Sequence, residues 1–305
     1  MDKDLEIIFR DLEEEGLMDI LWSRTKPKNI RLVKKLKTDV DKVSIGNNPS
    51  KFVIKHSNAP KGILSVATSK IYKKAGIQTP QVHLLRTEEK VVVNTIQEDV
   101  LNINGFETHL AAKDAEFMEI DKKFYGKFKW QLFYDRGLEN LFLQFMTPEC
   151  LEQLKNLFLA DELRTDVDRH TMNYFFYKRK GSDKYEGIIA IDLDQMIIYN
   201  YCGTKKEDFE NFLIYPYHSA TPQIVEDKVC YKQRVADIRE AIQDGVLSEG
   251  NIETIKTILK SDFPGEVKRV CKTQRLQRMY RNRAVVPLER LWEYNNETIG
   301  KDLGL

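Results

Sequence analysis

The sequence predicts a two-lobed α+β fold, with a small strand-rich N-terminal lobe and a larger, mainly helical C-terminal one. Three observations lead there. Residues 43–96 alternate in the manner of strands and are interrupted by one helical stretch. Helical spacing dominates after residue 100. Between helices and strands lies a polar cluster, DRHTMN at 168–173 and IDLD at 191–194, around which the rest of the chain is arranged.

At 305 residues the chain can bury a full core. Apolar residues make up 42% and charged residues 31%, an ordinary balance that excludes wholesale disorder. Lys+Arg number 48 against 47 Asp+Glu, so the net charge of +1 leaves only a local patch as a basis for an anionic partner. Cys150, Cys202, Cys230 and Cys271 are scattered, which suits reduced thiols better than a zinc knuckle or a disulfide framework. The start, MDKDLEIIFRDLEEEG, is acidic and lacks an apolar signal core, and no apolar run is long enough to span a bilayer. The expectation is a cytoplasmic protein; secretion as an effector by a signal-less route would leave no mark here.

In chain order, residues 3–22 have helical spacing through Leu5, Ile8, Phe9, Leu12, Leu17 and Leu21, and residues 1–40 are read as an N-terminal helical extension. The basic run KPKNIRLVKKLK at 26–37 reads as a solvated face or linker. KVSIG and KFVIKH form two strands about a turn at Gly46–Pro49, opening an N-lobe at 41–100. Lys55 ends the apolar run Phe52–Ile54, where rigid neighbours can aim an ammonium at phosphate oxygens. Residues 63–75 are helical, with Gly76 as the stop and Pro80 beyond. Gln81–Leu85 and Val91–Ile96 form a hairpin, and Gln97–Val100 leaves the small sheet.

Residues 101–305 form the C-lobe. Asn104–Lys113 has no clear pattern, and the aromatics of 124–134 read as core rather than as a base-stacking surface. Pro148–Leu163 is a helix buried through Leu151, Leu154, Leu157 and Phe158, delivering the chain to DRHTMN. Two strands follow, the second the apolar run Gly187–Ile191. Residues 200–228 read as a surface loop. Helices are expected at 230–242, 248–260, 264–282 and 286–296, the third bearing basic residues from Lys268 to Arg283.

Phosphoryl transfer asks little covalent work of a protein. It needs oxygen ligands for Mg²⁺, a cation on the phosphates and an acceptor for the hydroxyl proton. Asn173 and Asp192 suit the metal, Asp168 the hydroxyl and Lys55 the phosphates. The run LADELRTDVDRHTMNYFF followed by IIAIDLD resembles the catalytic and metal-binding segments of atypical kinases: phosphoinositide kinases, HipA-type bacterial kinases and secretory-pathway kinases. That resemblance implies a kinase-like fold with ATP and Mg²⁺ as cofactors. It makes Asp168 the catalytic acid, Asn173 and Asp192 metal ligands, and Lys55 the phosphate lysine, with Gln97 and Asp99 completing the cofactor-binding set. Arg169 and His170 would support the loop.

Three features depart from the kinase pattern. Helix 63–75 carries no acid to orient Lys55, Ser65 standing near the expected place; Glu88, Glu107, Glu116 or Glu119 would have to substitute. Asp194 stands where a glycine often follows the metal aspartate, which adds it to the metal set. A glycine-rich loop is absent. The expected activity is an atypical protein Ser/Thr kinase. The alternatives are a lipid or small-molecule kinase, an adenylyltransferase on the same fold, and a pseudokinase or binding scaffold. Expected partners are ATP and a protein substrate, with an anionic partner open to segments 26–37 and 268–283.

Overall fold

The computed structural model describes residues 30–37, 39–45, 51–86, 92–102, 105–123, 128–164, 169–193, 231–270 and 300–305. The N-lobe is a five-stranded antiparallel sheet in the order β1-β2-β3-β5-β4. Its strands are β1 (Ile30–Lys37), β2 (Val40–Ile45), β3 (Lys51–Asn58), β4 (Val82–Arg86) and β5 (Val92–Glu98). Helix α1 (Ala59–Lys74) follows β3 without a loop, and Pro60 in its first turn needs no intrahelical donor there. It ends at Gly76, whose φ of 76° is the left-handed cap geometry. Gly76 N–H donates to Lys73 O at 3.1 Å and Ile77 N–H to Tyr72 O at 2.9 Å, satisfying the last carbonyls.

The larger lobe contains a second antiparallel sheet, β6 (Phe106–Leu110), β7 (Tyr174–Arg179) and β8 (Gly187–Ala190). Around it lie α2 (Ala115–Lys123), α3 (Phe128–Tyr134), α4 (Arg136–Phe145), α5 (Pro148–Arg164), α6 (Tyr231–Gln243), α7 (Glu249–Lys260), α8 (Phe263–Val270) and the short α9 (Gly300–Leu303). Asp135 caps α4, accepting from Gly137 N–H at 2.8 Å, and Ser248 with Asn251 forms a capping box on α7. No helix among the described residues is long and apolar enough to cross a membrane.

One apolar core spans both lobes. Ile63, Leu64, Ala67, Ile71 and Tyr72 of α1 share it with Leu154, Leu157 and Phe158 of α5 and with Tyr174 and Phe176 of β7. Phe117 sits at its aromatic centre, 5.0 Å from Phe176 and 5.7 Å from Phe142 between ring centroids. Such pairs add about 0.5–1.5 kcal/mol each beyond area burial. Helix α1 also meets α7 and α8, so it is enclosed by C-lobe helices as well as by its own sheet. Lys70 and Lys74 at its exposed end pair with the buried Glu266 of α8.

Two strands depart from the sequence reading. Ile30–Lys37, read as a linker or solvated face within a helical extension, is strand β1, and Phe106–Leu110, left unassigned, is β6. Neither shows clean apolar alternation, because β1 is exposed from Arg31 to Lys37 and β6 alternates only between exposed and half-buried. In the aromatic segment Phe133 is core and Tyr134 is exposed at 42%. Cys150 is a buried free thiol, pushed up by burial. The helix at 3–22, the turn at 46–50, the loop at 200–228, the basic residues 272–283, the helix at 286–296 and Cys202, Cys230 and Cys271 lie outside the described residues.

Two stability predictions follow from this packing. A Cβ built on Gly187 would lie 2.3 Å from the Tyr177 hydroxyl and 2.5 Å from its ring carbons. Gly187→Ala is therefore expected to destabilise the chain by about 1–3 kcal/mol in urea denaturation, with partial recovery in a double variant carrying Tyr177→Leu. Burial first, then the charges of Lys70 and Lys73, push His83 from 6.5 down to about 4. Between those values the unfolded chain binds more protons, so stability is full above the unfolded value and falls as pH drops through the window. Wild type is expected to lose up to about 3 kcal/mol more than His83→Gln across it; equal losses would contradict the assignment.

Candidate active site

The site is built on a buried ion pair. Asp161, in the last turns of α5, is fully buried, and the Arg169 side chain is 1% exposed. Arg169 Nε donates to Asp161 Oδ2 at 2.7 Å and Nη2 donates to Oδ1 at 3.3 Å. Its Nη1 donates to two backbone carbonyls, Asn173 O and Ile191 O, each at 2.7 Å. One guanidinium thus fastens the end of α5, the DRHTMN loop and the end of β8. Ile191 N–H adds a 3.0 Å bond to Asn173 O. From the N-lobe, Tyr72 of α1 donates its hydroxyl proton to Asp161 Oδ1 at 2.5 Å. A rigid guanidinium fork suits this shared task better than a lysine would.

The loop so held presents Asn173, whose side chain is buried. Its Nδ2 lies 3.3 Å from His170 Nε2, which turns the carboxamide oxygen away from the ring. His170 Nδ1 accepts from Met172 N–H at 3.1 Å. A neutral imidazole accepts at one nitrogen only, so the two contacts compete for the tautomer. His170 is in either case a support of the loop.

Asp192 lies two residues beyond the end of β8. Its φ of 58° makes it the one non-glycine residue in the left-handed region among the described residues. Aspartate tolerates that region better than most residues, at a cost of about 1 kcal/mol, and such strain concentrates at functional sites. The flanking residues fix it: Ile191 is tied by its backbone to the loop, and Leu193 is 1% exposed in the core. The Asp192 carboxylate meets the Lys55 ammonium of β3 in an ion pair across 137 residues of sequence. The two side chains are 30% and 26% exposed, so water and solutes reach the pair. Lys55 lies opposite Thr95, and Gln97 opposite Val53, so Lys55, Thr95 and Gln97 share one face of the sheet.

The structure therefore brings Lys55, Asn173 and Asp192 to one region, with Gln97 on the face that carries Lys55. Asp99 is buried and differently engaged. Its carboxylate pairs with Lys42 of β2 and accepts from Leu101 N–H at 3.1 Å, while its own N–H donates to Lys51 O at 3.0 Å. That set pins the segment joining the lobes. Asp168, Asp194 and Glu88 lie outside the described residues. Glu107, Glu116 and Glu119 are exposed on β6 and α2, and Lys55 reaches Asp192 instead. Sequence reasoning missed Asp161, Tyr72 and Lys42; the available signal was an acid inside an otherwise apolar helical stretch.

No protein-family model and no curated protein sequence matches the chain. Several solved structures resemble it, among them the following two. One is the proinflammatory kinase CtkA of Helicobacter pylori, at 18% identity over 79% of this chain and 94% of that one, with a TM-score of 0.40. The other is HipA of the Shewanella oneidensis MR-1 toxin–antitoxin system, solved with HipB and operator DNA. It is 12% identical over 96% of this chain and 71% of that one, with a TM-score of 0.51. The likeness to HipA is one of fold, a small strand-rich lobe joined to a larger, mainly helical one. At such identity the likeness concerns fold, and the chemistry has to be argued from this chain's own side chains.

Removing Asp161 would strand a buried guanidinium. Asp161→Ala is expected to cost about 3–5 kcal/mol in urea denaturation, against about 1 kcal/mol for Tyr72→Phe. A loss in Asp161→Ala no larger than in Tyr72→Phe would show that Arg169 does not depend on this pair.

Proposed function

We propose that the chain is an ATP- and Mg²⁺-dependent phosphotransferase with a hydroxyl acceptor, most simply a Ser or Thr of a protein. The observation that carries this reading is the meeting of Lys55 and Asp192, the two ends of the ordered series read from the sequence, beside a loop bearing Asn173. The donor set fits Mg²⁺: a carboxylate and a carboxamide oxygen are hard ligands, and one or two protein groups suffice when phosphates and water complete the shell. Asn173 and Asp192 would hold the ion, with Asp194 as a further ligand. Bound there, Mg²⁺ would supply charge neutralisation on the nucleotide phosphates.

Lys55 then has an electrostatic task at either stage. Without nucleotide it balances Asp192; with nucleotide its ammonium is placed to bind phosphate oxygens. Gln97 lines the same sheet face, and Asp99 fixes the connecting segment against which a base would rest. Asp168 lies within five residues of Asn173 in sequence and is assigned the proton of the incoming hydroxyl. The cytoplasmic setting expected from the sequence belongs to the same proposal. The scaffold alternative rested on the missing acid of α1, and the Lys55–Asp192 pair supplies an acid from the segment after β8 instead.

The test is incubation with labelled ATP and Mg²⁺, comparing wild type with Asp168→Ala and Asp192→Ala. Label transfer is expected to fall by about 10²–10⁴-fold in Asp168→Ala and to background in Asp192→Ala. Undiminished transfer in Asp192→Ala would refute the assignment. The mass added to a modified protein separates phosphoryl from adenylyl transfer.

A further inference from the structure

Strand β1 has no role in the site, and its chemistry is unusual for a sheet edge. Among the described residues it pairs with β2 on one side only. Every residue from Arg31 to Lys37 is exposed. Leu32 is 64%, Val33 49% and Leu36 45% exposed, three of the large apolar side chains most open to water among the described residues. Arg31, Lys34, Lys35 and Lys37 lie among them, and among the described residues none of these four cations takes part in an ion pair. Lysines alone would blunt an edge against pairing, but a blunted edge does not also display leucine and valine. The register ties the strand to the site. Lys37 lies opposite Val40, and Val40 opposite Lys55. At about 4.8 Å per strand, a strand added beyond β1 would run roughly 14 Å from β3.

We propose that β1 is a docking edge that accepts an extended acidic polypeptide segment as an added antiparallel or parallel strand. The backbone edge, unpaired among the described residues, supplies ladder hydrogen bonds, the cations match acidic side chains, and Leu32, Val33 and Leu36 cover apolar residues between them. Other anionic surfaces fit only part of this. A nucleic acid would use the cations and leave the apolar side chains wet, and a lipid surface would leave the backbone edge without partners. Docking is independent of phosphoryl transfer, so it stands or falls separately from the proposed activity. If both hold, it delivers an acidic acceptor protein beside the Lys55 sheet.

The test measures fluorescence anisotropy of the full chain with a labelled peptide of about ten residues alternating glutamate and valine, without nucleotide. The controls are a peptide of equal charge with prolines replacing alternate valines, an oligonucleotide of equal charge, and vesicles of phosphatidylserine and phosphatidylcholine. Arg31→Glu/Lys37→Glu is the informative variant, because Arg31 faces Ser44 and Lys37 faces Val40, so neither new carboxylate meets a charged cross-strand partner. Both positions are exposed, so an unchanged melting temperature is expected and confirms folding. The alternating peptide is expected to bind wild type at least about tenfold more tightly than the proline peptide and at least about tenfold more tightly than it binds the variant. Absence of binding, equal binding of the two peptides, undiminished binding by the variant, or tighter binding of the oligonucleotide or vesicles would each overturn the proposal.

Discussion

The buried pair of Asp161 and Arg169 is the constraint on which the rest of the site depends. Taking both charges out of water costs several kcal/mol per ion, and the attraction between them offsets this only when remaining donors and acceptors are satisfied. Here they are. Arg169 reaches a carboxylate and two carbonyls, and Asp161 takes a tyrosine hydroxyl as well. An apolar pair of similar volume would stabilise the fold as well, but it would not set the positions of three separate chain segments. The pair makes the loop and the end of β8 a single rigid unit, and through Tyr72 it carries that rigidity to the helix of the other lobe.

That unit explains why Asp192 can occupy a backbone conformation that side-chain-bearing residues avoid. Its neighbour on one side is bonded to the loop and its neighbour on the other is in the core, so the strain is held by contacts already made. The same rigidity sets where its carboxylate points, towards Lys55. Helix α1, lacking an acid for that lysine, is instead enclosed by α5, α7 and α8 and tied to them by Tyr72 and by Lys74 with Glu266. The orientation of Lys55 is therefore supplied from across the lobes.

Much of this was legible in the sequence. The lysine strand, the helix ending at Gly76, the β4–β5 hairpin, the long α5 and the strands flanking 180–186 all carry strong local signals: caps, periodicity or a glycine stop. The strands β1 and β6 did not, because periodicity reports one-sided apolar burial: β1 is exposed from Arg31 to Lys37, and the inner face of β6 is only half-buried and carries Thr108 between Phe106 and Leu110. At the site, residue type and spacing indicated Asn173 and Asp192, but not which acid serves Lys55. That partner is 137 residues away, and only the fold brings it near. Asp161 was harder to read: its place in the apolar run Leu157–Leu163 hinted at burial, but an acid in a helix shows its role only once its arginine is known.

The central claim is that Lys55 and Asp192 act together as one binding unit for nucleotide phosphates and their metal. Titration calorimetry of Mg·ATP on wild type, Lys55→Met, Asp192→Asn and the double variant tests it most directly. The account predicts binding by wild type, a loss in each single variant, and a double variant whose loss departs from the sum by about 0.5–3 kcal/mol. Strictly additive losses, or Mg·ATP binding that neither substitution weakens, would contradict it.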